Sequence, residues 1–444
     1  MAMTALLTTI RPFWAALLLA VLLVGCGGGS DDGSRPLRFV SLAWQEQSVA
    51  AHKEIVAEWN RRHPDTPVEY LQGTWGSIHD YLITAFETGD VPDVFHYESS
   101  VIVDFAVRGF LADLAPRISD SLRNDVLDVA WASVRRPNGE IGGIPFLMET
   151  FVVLYNRTLF AEAGIAPPTV EQPWTYADLR RTAAALTRDR DGDGHPDQYG
   201  AAMGLRNGAN IVMNLSISFG GSFFRRDDDG QFHVEVGEGE RELLGLINNM
   251  LHEERTMTPS GIGKTGSAMI PGLINGDYAM LIGIGSWARQ QLAEHAPAGF
   301  EWGVLPLPEA ETQRTGINTQ TLSIPSRSTR TADAMAFIEF MVSADNMARN
   351  ARADWMLPTR RSVLERPEFA HGENGWDVVT AGADHVTTGP WLGTPGYVEW
   401  KMRVANPILQ EFFAGRIPLA EAAERLETES NWVLARYQMR GEQW

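Results

Sequence analysis

The sequence predicts an α/β fold in two lobes, and three observations lead to this prediction. From residue 37 onward, short apolar stretches alternate with amphipathic stretches of helical period, which is typical of a largely parallel α/β sheet. Roughly 400 residues follow the N-terminal segment, more than one compact core usually holds. Beyond that segment, no apolar run approaches the about 20 residues that span a bilayer. We therefore expect two α/β lobes that lie outside the membrane.

The first elements follow from their hydrophobic periods. Alternating or continuous apolar residues predict strands, and apolar residues three or four positions apart predict helices. In order, the patterns indicate a strand at Leu37–Ala43, a helix at Gln47–Arg62, a strand at Val68–Leu71, a helix at Ile78–Glu87, a turn and strand at Val91–Tyr97, and a helix at Val101–Arg108. Ligands of open α/β sheets lie beyond the carboxyl ends of strands. This rule selects Trp44, Tyr97 and Glu98 as candidate contacts.

The N-terminus has the pattern of an export signal that ends at a cysteine. Arg11 precedes an unbroken apolar stretch of 12 residues, 13–24, which is too short to span a bilayer. The next positions complete Leu23-Val24-Gly25-Cys26, which resembles a bacterial lipobox, where the cysteine is lipidated and becomes residue one. An ordinary signal peptide with an incidental cysteine is the alternative. We expect an exported protein, lipid-anchored at the membrane through Cys26 and facing the periplasm or the cell exterior.

The composition is acidic and rich in aromatic residues. The net charge of −19 becomes −20 when residues 1–25 are removed, because they hold Arg11 and no acidic side chain. Such a charge repels nucleic acid and anionic lipid, which argues against both as binding partners. The 14 Trp, 19 Phe and 9 Tyr residues supply flat apolar rings that can stack on sugars. The composition therefore favours a carbohydrate ligand.

A series of short motifs gives the chain a resemblance to a known family. The motifs are Asp93–Phe95, Gly109–Leu114, Ile144–Phe146, Leu154–Phe160, Ala163–Ile165, Trp174-Thr175, Gly285–Trp287, Leu305–Pro308, Thr331–Met341 and Leu357–Arg360. In this order and spacing they resemble the family 1 extracellular solute-binding proteins, the sugar-binding lipoproteins of ABC importers, similar to maltose-binding protein. The resemblance covers roughly residues 37–364.

The resemblance implies a two-lobed periplasmic-binding-protein fold of type II, with the ligand in a cleft between lobes that close about a hinge. It implies a signal peptide at 1–25, a lipidated cysteine and tether at 26–36, lobe one at 37–146 plus 306–350, and lobe two at 147–305 plus 351–444. The implied partners are a sugar or oligosaccharide and an ABC permease. No cofactor is required, and we expect a monomer. The C-terminal part matches only vaguely, although Leu419–Leu434 has a helical pattern.

Candidate ligand contacts follow from the resemblance position by position. Trp287, after a strand predicted at Ala279–Ile284, would be a ring platform. Glu149 would bond sugar hydroxyls at the crossing between lobes; a solvated hinge residue is the alternative. The other candidates are Trp44, Tyr97, Glu98, Ser100, Asn210, Asn318, Trp355 and Arg360. A core position is the alternative for Trp44, and helix capping is the alternative for Asn210 and its neighbour Asn207.

One segment imitates a calcium-binding loop. Acidic residues occupy positions 1, 3, 5 and 9 of the pattern, with glycine at position 6; they are Asp189, Asp191, Asp193 and Asp197. Position 12, which should supply a bidentate carboxylate, is Gly200. Calcium is thus a weakly supported ligand, and a surface loop of Asx turns is the alternative.

An enzyme is the main rival interpretation. Two carboxylates in a sugar cleft could make an exported hydrolase or lyase. However, no recognisable spacing pairs the acidic residues, and the single cysteine is assigned to the anchor. We therefore expect a binding protein without catalytic residues. Binding of a non-sugar solute and presentation of the ligand to a membrane sensor are further alternatives.

Overall fold

The computed structural model describes residues 35–228, 230–389 and 391–439. The predicted signal peptide, Cys26 and most of the tether lie outside the described residues. In the part that is described, no helix combines the length and apolar character needed to cross a membrane. The strands are β1 Leu37–Ser41, β2 Val68–Gln72, β3 Val94–Glu98, β4 Ile144–Glu149, β5 Phe151–Asn156, β6 Tyr199–Ala202, β7 Phe224–Arg226, β8 Phe232–Val234, β9 Tyr278–Gly285, β10 Trp302–Leu305, β11 Thr315–Gly316, β12 Asn318–Ser323, β13 Leu357–Pro358 and β14 Val386–Thr387.

Helices follow most of the strands and cover both faces of the sheets. They are α1 Glu46–Arg62, α2 Ile78–Thr88, α3 Ser99–Val107, α4 Asp120–Asp125, α5 Asp128–Ala132, α6 Arg157–Glu162, α7 Tyr176–Leu186, α8 Gly208–Ser216, α9 Glu238–Asn248, α10 Gly266–Asn275, α11 Ala288–His295, α12 Thr331–Met341, α13 Ala344–Asp354, α14 Arg361–Leu364, α15 Trp376–Ala381, α16 Tyr397–Trp400, α17 Asn406–Phe413 and α18 Leu419–Met439. A π-helical turn, Lys401–Ala405, joins α16 to α17. The elements predicted between residues 37 and 109 are confirmed, with ends that differ by a few residues.

The first lobe contains a six-stranded sheet in the order β13-β4-β12-β3-β1-β2. β1 pairs in parallel with β2 and β3, as expected of strands joined by the crossover helices α1 and α2. β12 pairs antiparallel with β3 and β4, and β13 pairs antiparallel with β4. The expectation of a largely parallel sheet is therefore wrong, because strands from distant parts of the chain complete this sheet in the opposite direction.

The second lobe contains a four-stranded sheet in the order β10-β5-β9-β6. Its central strands β5 and β9 run antiparallel, and β6 alone pairs in parallel with β9 among the described pairings of this sheet. The residues of β9 are all buried, so the strand is a continuous apolar run rather than an alternating one. This burial explains why the sequence indicated a strand at 279–284 without any alternation.

The core of the first lobe forms where helices pack on β1. Phe39 of β1 meets Phe337 of α12 with ring centroids 5.4 Å apart, and Trp59 of α1 meets the same ring at 5.6 Å. All three rings are almost fully buried. Burial of each such side chain stabilises the fold by about 1.5–3 kcal/mol. This packing makes the sheet a rigid platform for the residues at its strand ends.

The chain crosses between the sheets at Thr150, which separates β4 from β5, and again between β10 and β12. The predicted lobe boundaries at 146/147 and 305/306 lie close to these crossings. The boundary at 350/351 assigned residues 351–364 to lobe two, whereas the structure pairs β13 with β4 in the sheet of lobe one. A strand of two residues leaves no hydrophobic period, so this return to the first sheet had no readable signal.

The C-terminal helices cover the side of the second lobe. α17 packs on α8, and α18 packs on α9 and β8, while α16 reaches across to α3 of lobe one. The backbone N–H of Gly396 donates to Asp104 Oδ1 at 3.4 Å, which joins this segment to the first lobe. The C-terminal segment therefore belongs to lobe two but also contacts lobe one.

Candidate functional site

The strand ends of the first sheet gather polar side chains at one edge. The antiparallel register sets Gln320 of β12 opposite Glu98 of β3, and Asn318 of β12 opposite Glu149 of β4. Because β12 runs against both neighbours, its first residue lies where β3 and β4 end. Trp44 follows the end of β1 at the same edge, since β1 is parallel to β3. Glu98, Glu149, Asn318 and Trp44 thus come from segments that are distant in sequence.

Asn318 connects the two carboxylates of this edge. Its side-chain Nδ2 lies 3.4 Å from Glu98 Oε2 and 3.4 Å from Glu149 Oε2. An amide nitrogen carries two hydrogens, so it can donate to both oxygens at once. The amide therefore holds the two carboxylates side by side at the edge of the sheet.

Trp287 of the second lobe faces this edge. It follows β9 directly after Gly285 and Ser286, and its indole Nε1 donates to Glu149 Oε1 at 2.7 Å. Its ring meets Trp44 edge to face, with centroids 5.5 Å apart and planes at 75°. Trp44 is 46% exposed, which rules out the core position that was its alternative. Two indoles from opposite lobes therefore form one wall of the site.

Gly285 is required where the two lobes approach. A Cβ at this position would lie 1.8 Å from Glu149 Oε1 and 2.3 Å from Trp287 Nε1. Both distances are far below van der Waals contact, so any side chain would push the carboxylate and the indole apart. The glycine of the Gly-x-Trp motif thus has a steric reason to be there, because it lets the Glu149 carboxylate lie against the backbone of the opposite lobe.

Lys401 is a site residue that the sequence interpretation missed. It opens the π-helical turn 401–405, and its Nζ lies 3.5 Å from Glu98 Oε1 and 5.2 Å from the centre of the Tyr397 ring. Single π turns inside helices often occur at functional sites. The available signal was that Lys401 is one of three lysines in a chain that otherwise uses arginine.

We use the name cleft for the space between these side chains of the two lobes. The cleft residues are Trp44, Glu98, Glu149 and Asn318 of lobe one with Trp287 and Lys401 of lobe two. Outside this set, Gln47 of α1 donates to Glu294 of α11 at 2.8 Å across the exposed rim. The two lobes are therefore in contact at several points of the cleft and its rim.

The electrostatics of the cleft are dominated by its acidic groups. Burial raises the pKa of Glu149 to about 7; hydrogen bonds from Trp287 and Asn318 oppose this shift, and the charges of Glu98 and Asp354 add to it. Burial also raises the pKa of Asp354 to about 6. For Lys401, burial alone would lower the pKa, but Glu98 and Tyr397 raise it above its ordinary value.

Two predicted contacts have other partners in the structure. The Arg360 Nε donates to Asp125 Oδ2 at 2.6 Å, and its Nη1 donates to the Val342 carbonyl at 3.1 Å. The Trp355 ring packs beside Trp376, with centroids 6.0 Å apart. Both residues thus hold together parts of the protein, and their roles in ligand binding stay predictions.

Trp355 instead forms part of a buried cluster around Arg289. The guanidinium donates to the carbonyls of Ser286, Trp355 and Asn374 and lies 4.2 Å from the centre of the Trp376 ring. Burial lowers the pKa of Arg289 to about 9. The cluster fixes the corner after β9, on which Trp287 is carried, against the end of α13.

Tyr97, Ser100 and Asn210 are the remaining predicted contacts. Tyr97 is buried, with its ring 5.9 Å from Trp75 and 6.3 Å from Phe105. Ser100 lies in the first turn of α3, largely buried and two residues after Glu98. Asn210 lies inside α8, where its backbone oxygen accepts from Asn214 Nδ2 at 2.7 Å. Their roles in binding stay predictions.

The acidic loop is organised by its own hydrogen bonds. Asp189 accepts from the backbone of Gly192 at 2.8 Å and Gly194 at 2.9 Å, and Asp197 accepts from Arg190 at 2.6 Å. Asp193 accepts from His195 in the same way at 2.8 Å. One oxygen each from Asp189, Asp191 and Asp197 lies within 4.8 Å of the others, and all three side chains are exposed. These bonds favour the surface loop of Asx turns, and calcium binding stays a prediction.

Comparison with known proteins identifies related sequences. The sequence model of the family described as bacterial extracellular solute-binding proteins matches residues 43–348. A protein of Streptomyces antibioticus, named as an uncharacterized lipoprotein in the oleD 5' region, is 38% identical over 421 residues, which cover 94% of this chain and 91% of the relative. At this coverage the match extends beyond residue 364, into the C-terminal part where the motifs had given only a vague resemblance.

Two further comparisons are more distant. The arabinooligosaccharide-binding protein of Halalkalibacterium halodurans is 24% identical over 246 residues, 53% of this chain and 50% of that protein. The structure of the sugar-binding protein MalE from Xanthomonas citri superposes with a TM-score of 0.78 at 21% identity, covering 92% of this chain and 100% of that one. The second likeness shows that the two chains share a fold.

Proposed function

We propose that this chain, which belongs to the family of bacterial extracellular solute-binding proteins, captures a sugar or oligosaccharide in the cleft and delivers it to an ABC importer. The observation that carries the proposal is the meeting of Trp44, Trp287 and Glu149 across the two lobes. Indole faces suit the C–H side of a sugar ring, and carboxylates accept hydrogen bonds from its hydroxyls. The name of the arabinooligosaccharide-binding relative supports the same class of ligand.

Capture works through closure of the two lobes. A ligand between Trp44 and Trp287 replaces the contact between the two rings and bonds to groups of both lobes. It therefore binds the closed arrangement better than an open one and shifts the population toward closure. The permease then distinguishes loaded from empty protein by the closed shape. The cross-lobe pairs Lys401–Glu98 and Gln47–Glu294 have to separate when the cleft opens.

The place of action is proposed from the N-terminus and the relatives. The lipobox-like segment ending at Cys26 and the name of the Streptomyces antibioticus relative both support a lipid anchor. In this proposal the folded lobes work on the outer side of the cytoplasmic membrane, tethered near the permease. Mass spectrometry of the protein purified from membranes tests the anchor, because a diacylglyceryl group on Cys26 adds a defined mass.

In this proposal the protein binds its ligand without cleaving or otherwise converting it. Glu98 and Glu149 lie close together, and a pair of carboxylates is also what a glycosidase needs. Glu98 is paired with Lys401, however, and the family consists of binding proteins. Recovery of the sugar after binding distinguishes the two functions.

A thermal-shift screen across mono-, di- and oligosaccharides tests the proposal. A ligand present at a hundredfold excess over its dissociation constant stabilises the protein by about 2.7 kcal/mol, which gives a clear rise in Tm. We expect such a rise with one sugar class and recovery of that sugar unchanged. A cleaved sugar would indicate an enzyme instead, and no shift with any sugar would contradict carbohydrate binding.

A further inference from the structure

Glu149 is a buried carboxylate whose hydrogen-bond partners are neutral. It is 8% exposed, and it accepts from Trp287 Nε1 at 2.7 Å and from Asn318 Nδ2 at 3.4 Å. No lysine or arginine of the described residues forms an ion pair with it. The charged groups that act on it are Glu98 and Asp354, which are both acidic. A buried negative charge without a cation is costly, so this position favours a positively charged partner.

The surroundings of Glu149 suit an ammonium group. Trp287 donates to the carboxylate, and the partly exposed Trp44 packs against Trp287 with ring centroids 5.5 Å apart. Indole faces attract cations, and a carboxylate within an aromatic wall is an arrangement that recognises protonated amines. An ionised carboxylate has about four acceptor sites, so the two bonds described leave part of its acceptor capacity unused.

At the neighbouring carboxylate, Glu98, the protein itself supplies an ammonium group. Glu98, which shares the amide of Asn318 with Glu149, lies 3.5 Å from Lys401 Nζ, and that ammonium lies 5.2 Å from the centre of the Tyr397 ring. Carboxylate, ammonium and aromatic ring are thus combined at Glu98. At Glu149 the carboxylate and the rings are present, and the ammonium has to come from the ligand.

We propose that Glu149 binds a protonated amine of the ligand, so that the cleft selects an amino sugar over the corresponding neutral sugar. The inference rests on the proposed function, since it assumes that the ligand is a carbohydrate. A hydroxyl at the same place would make a hydrogen bond but would leave the charge uncompensated, whereas an ammonium supplies both the bond and the charge. The acidic net charge of −19 also attracts a cationic ligand from solution.

Matched pairs of sugars test this proposal in the full chain. Glucosamine and its β1,4-linked oligomers differ from glucose and the cello-oligomers by an amine in place of the hydroxyl at carbon 2. Thermal shift with these pairs and with aminocyclitol pseudo-oligosaccharides identifies binders, and calorimetry at pH 7 measures their affinity. We expect the amine-bearing member to bind at least about tenfold more tightly than its neutral counterpart, as charged hydrogen bonds allow.

The variant Glu149→Gln separates charge from shape, because the amide oxygen still accepts from Trp287. We expect this variant to lower the affinity for the amino sugar at least about tenfold and the affinity for the neutral counterpart less than about threefold. The control Glu424→Gln removes one negative charge on the exposed surface of α18, outside the cleft, and is expected to change neither affinity. This control therefore separates the effect of a local contact on affinity from the effect of the protein's overall negative charge.

Four outcomes would overturn the inference. Equal or tighter binding of the neutral sugar would contradict the selection of an amine. Equal losses of affinity for both sugars in Glu149→Gln would contradict it as well. Either result would leave sugar capture intact. Failure of all neutral and amino sugars to bind would overturn the inference together with the proposed function. Binding of spermidine in place of every sugar would have the same consequence, because it would replace the carbohydrate by a polyamine.

Discussion

Glu149 connects the chemistry of the cleft with the pH dependence of the whole protein. Its carboxylate accepts hydrogen bonds from Trp287 of lobe two and Asn318 of β12. The negative charges of Glu98 on β3 and Asp354 on α13 act on it as well. Lys401 is paired with Glu98. None of these groups compensates the charge of Glu149 directly. Burial therefore dominates and raises its pKa to about 7.

This raised pKa predicts how stability changes with pH. The folded protein holds the proton of Glu149 more tightly than the unfolded chain, where the pKa is 4.5. The resulting stability is fully present below pH 4.5 and is lost as the pH rises through 7. Against Glu149→Gln, which cannot ionise, the unliganded wild type should lose up to about 3 kcal/mol of unfolding free energy between pH 5 and pH 8.

Urea denaturation of both proteins at several pH values measures this difference. Asp354 titrates in the same direction, with a pKa raised to about 6, but it is present in both proteins and cancels in the comparison. Unfolding free energies of the two proteins that run parallel from pH 5 to pH 8 would show that Glu149 is ionised at little cost in the folded state.

The residues also show what the sequence could and could not predict. Trp287, Glu149, Glu98, Asn318 and Trp44 were selected from strand ends and family motifs, and the structure brings them together. Arg360 and Trp355 came from the same kind of reasoning, but contacts with Asp125 and Trp376 engage them. A motif gives the position of a residue along the chain and does not give the direction of its side chain.

At the scale of elements, the corner after β9 is the feature on which the cleft depends most. Gly285, Ser286 and Trp287 carry the indole to Glu149, and Arg289 ties the same corner to the carbonyl of Trp355. The absence of a side chain at Gly285 permits the close approach. The corner therefore sets the Trp287 and Glu149 side chains against each other.

Gly285→Ala should disturb binding more than folding. The added Cβ has to displace both the Glu149 carboxylate and the Trp287 indole, so we expect ligand affinity to fall at least about tenfold while overpacking costs about 1–3 kcal/mol of stability. Gly263→Ala is the matched control, because its Cβ would meet nothing within 4 Å. Calorimetry and urea denaturation of both variants measure the two effects. Unchanged affinity in Gly285→Ala would contradict the role of this corner.

Local elements were predictable, and their pairing was not. The strands and helices between residues 37 and 109 follow from periods of two and about three and a half residues, which short segments display. β12 enters the same sheet from more than 200 positions away and pairs antiparallel with β3. The π-helical turn that presents Lys401 breaks the helical period, so periodicity could not place this lysine in the cleft.

At the scale of the molecule, the two sheets and the C-terminal helices together form the cleft. Lobe one contributes Trp44 and the carboxylates, lobe two contributes Trp287, and the C-terminal segment contributes Lys401. Length and composition predicted two lobes with an acidic charge, and the N-terminal pattern predicted export. They did not predict that the C-terminal segment would contact both lobes, because its motifs are weak and its contacts are distant in sequence.

The central claim is that a carbohydrate binds between the lobes on Trp287. The most direct test is calorimetric titration of the wild type, Trp287→Ala and Trp432→Ala with the sugar that gives the largest thermal shift. Trp432 is the control, because it is 65% exposed on α18 and stacks only on Arg436 among the described residues. We expect a loss of at least about 2 kcal/mol, roughly thirtyfold in Kd, for Trp287→Ala and no change for Trp432→Ala. Equal affinity in all three proteins would contradict the central claim.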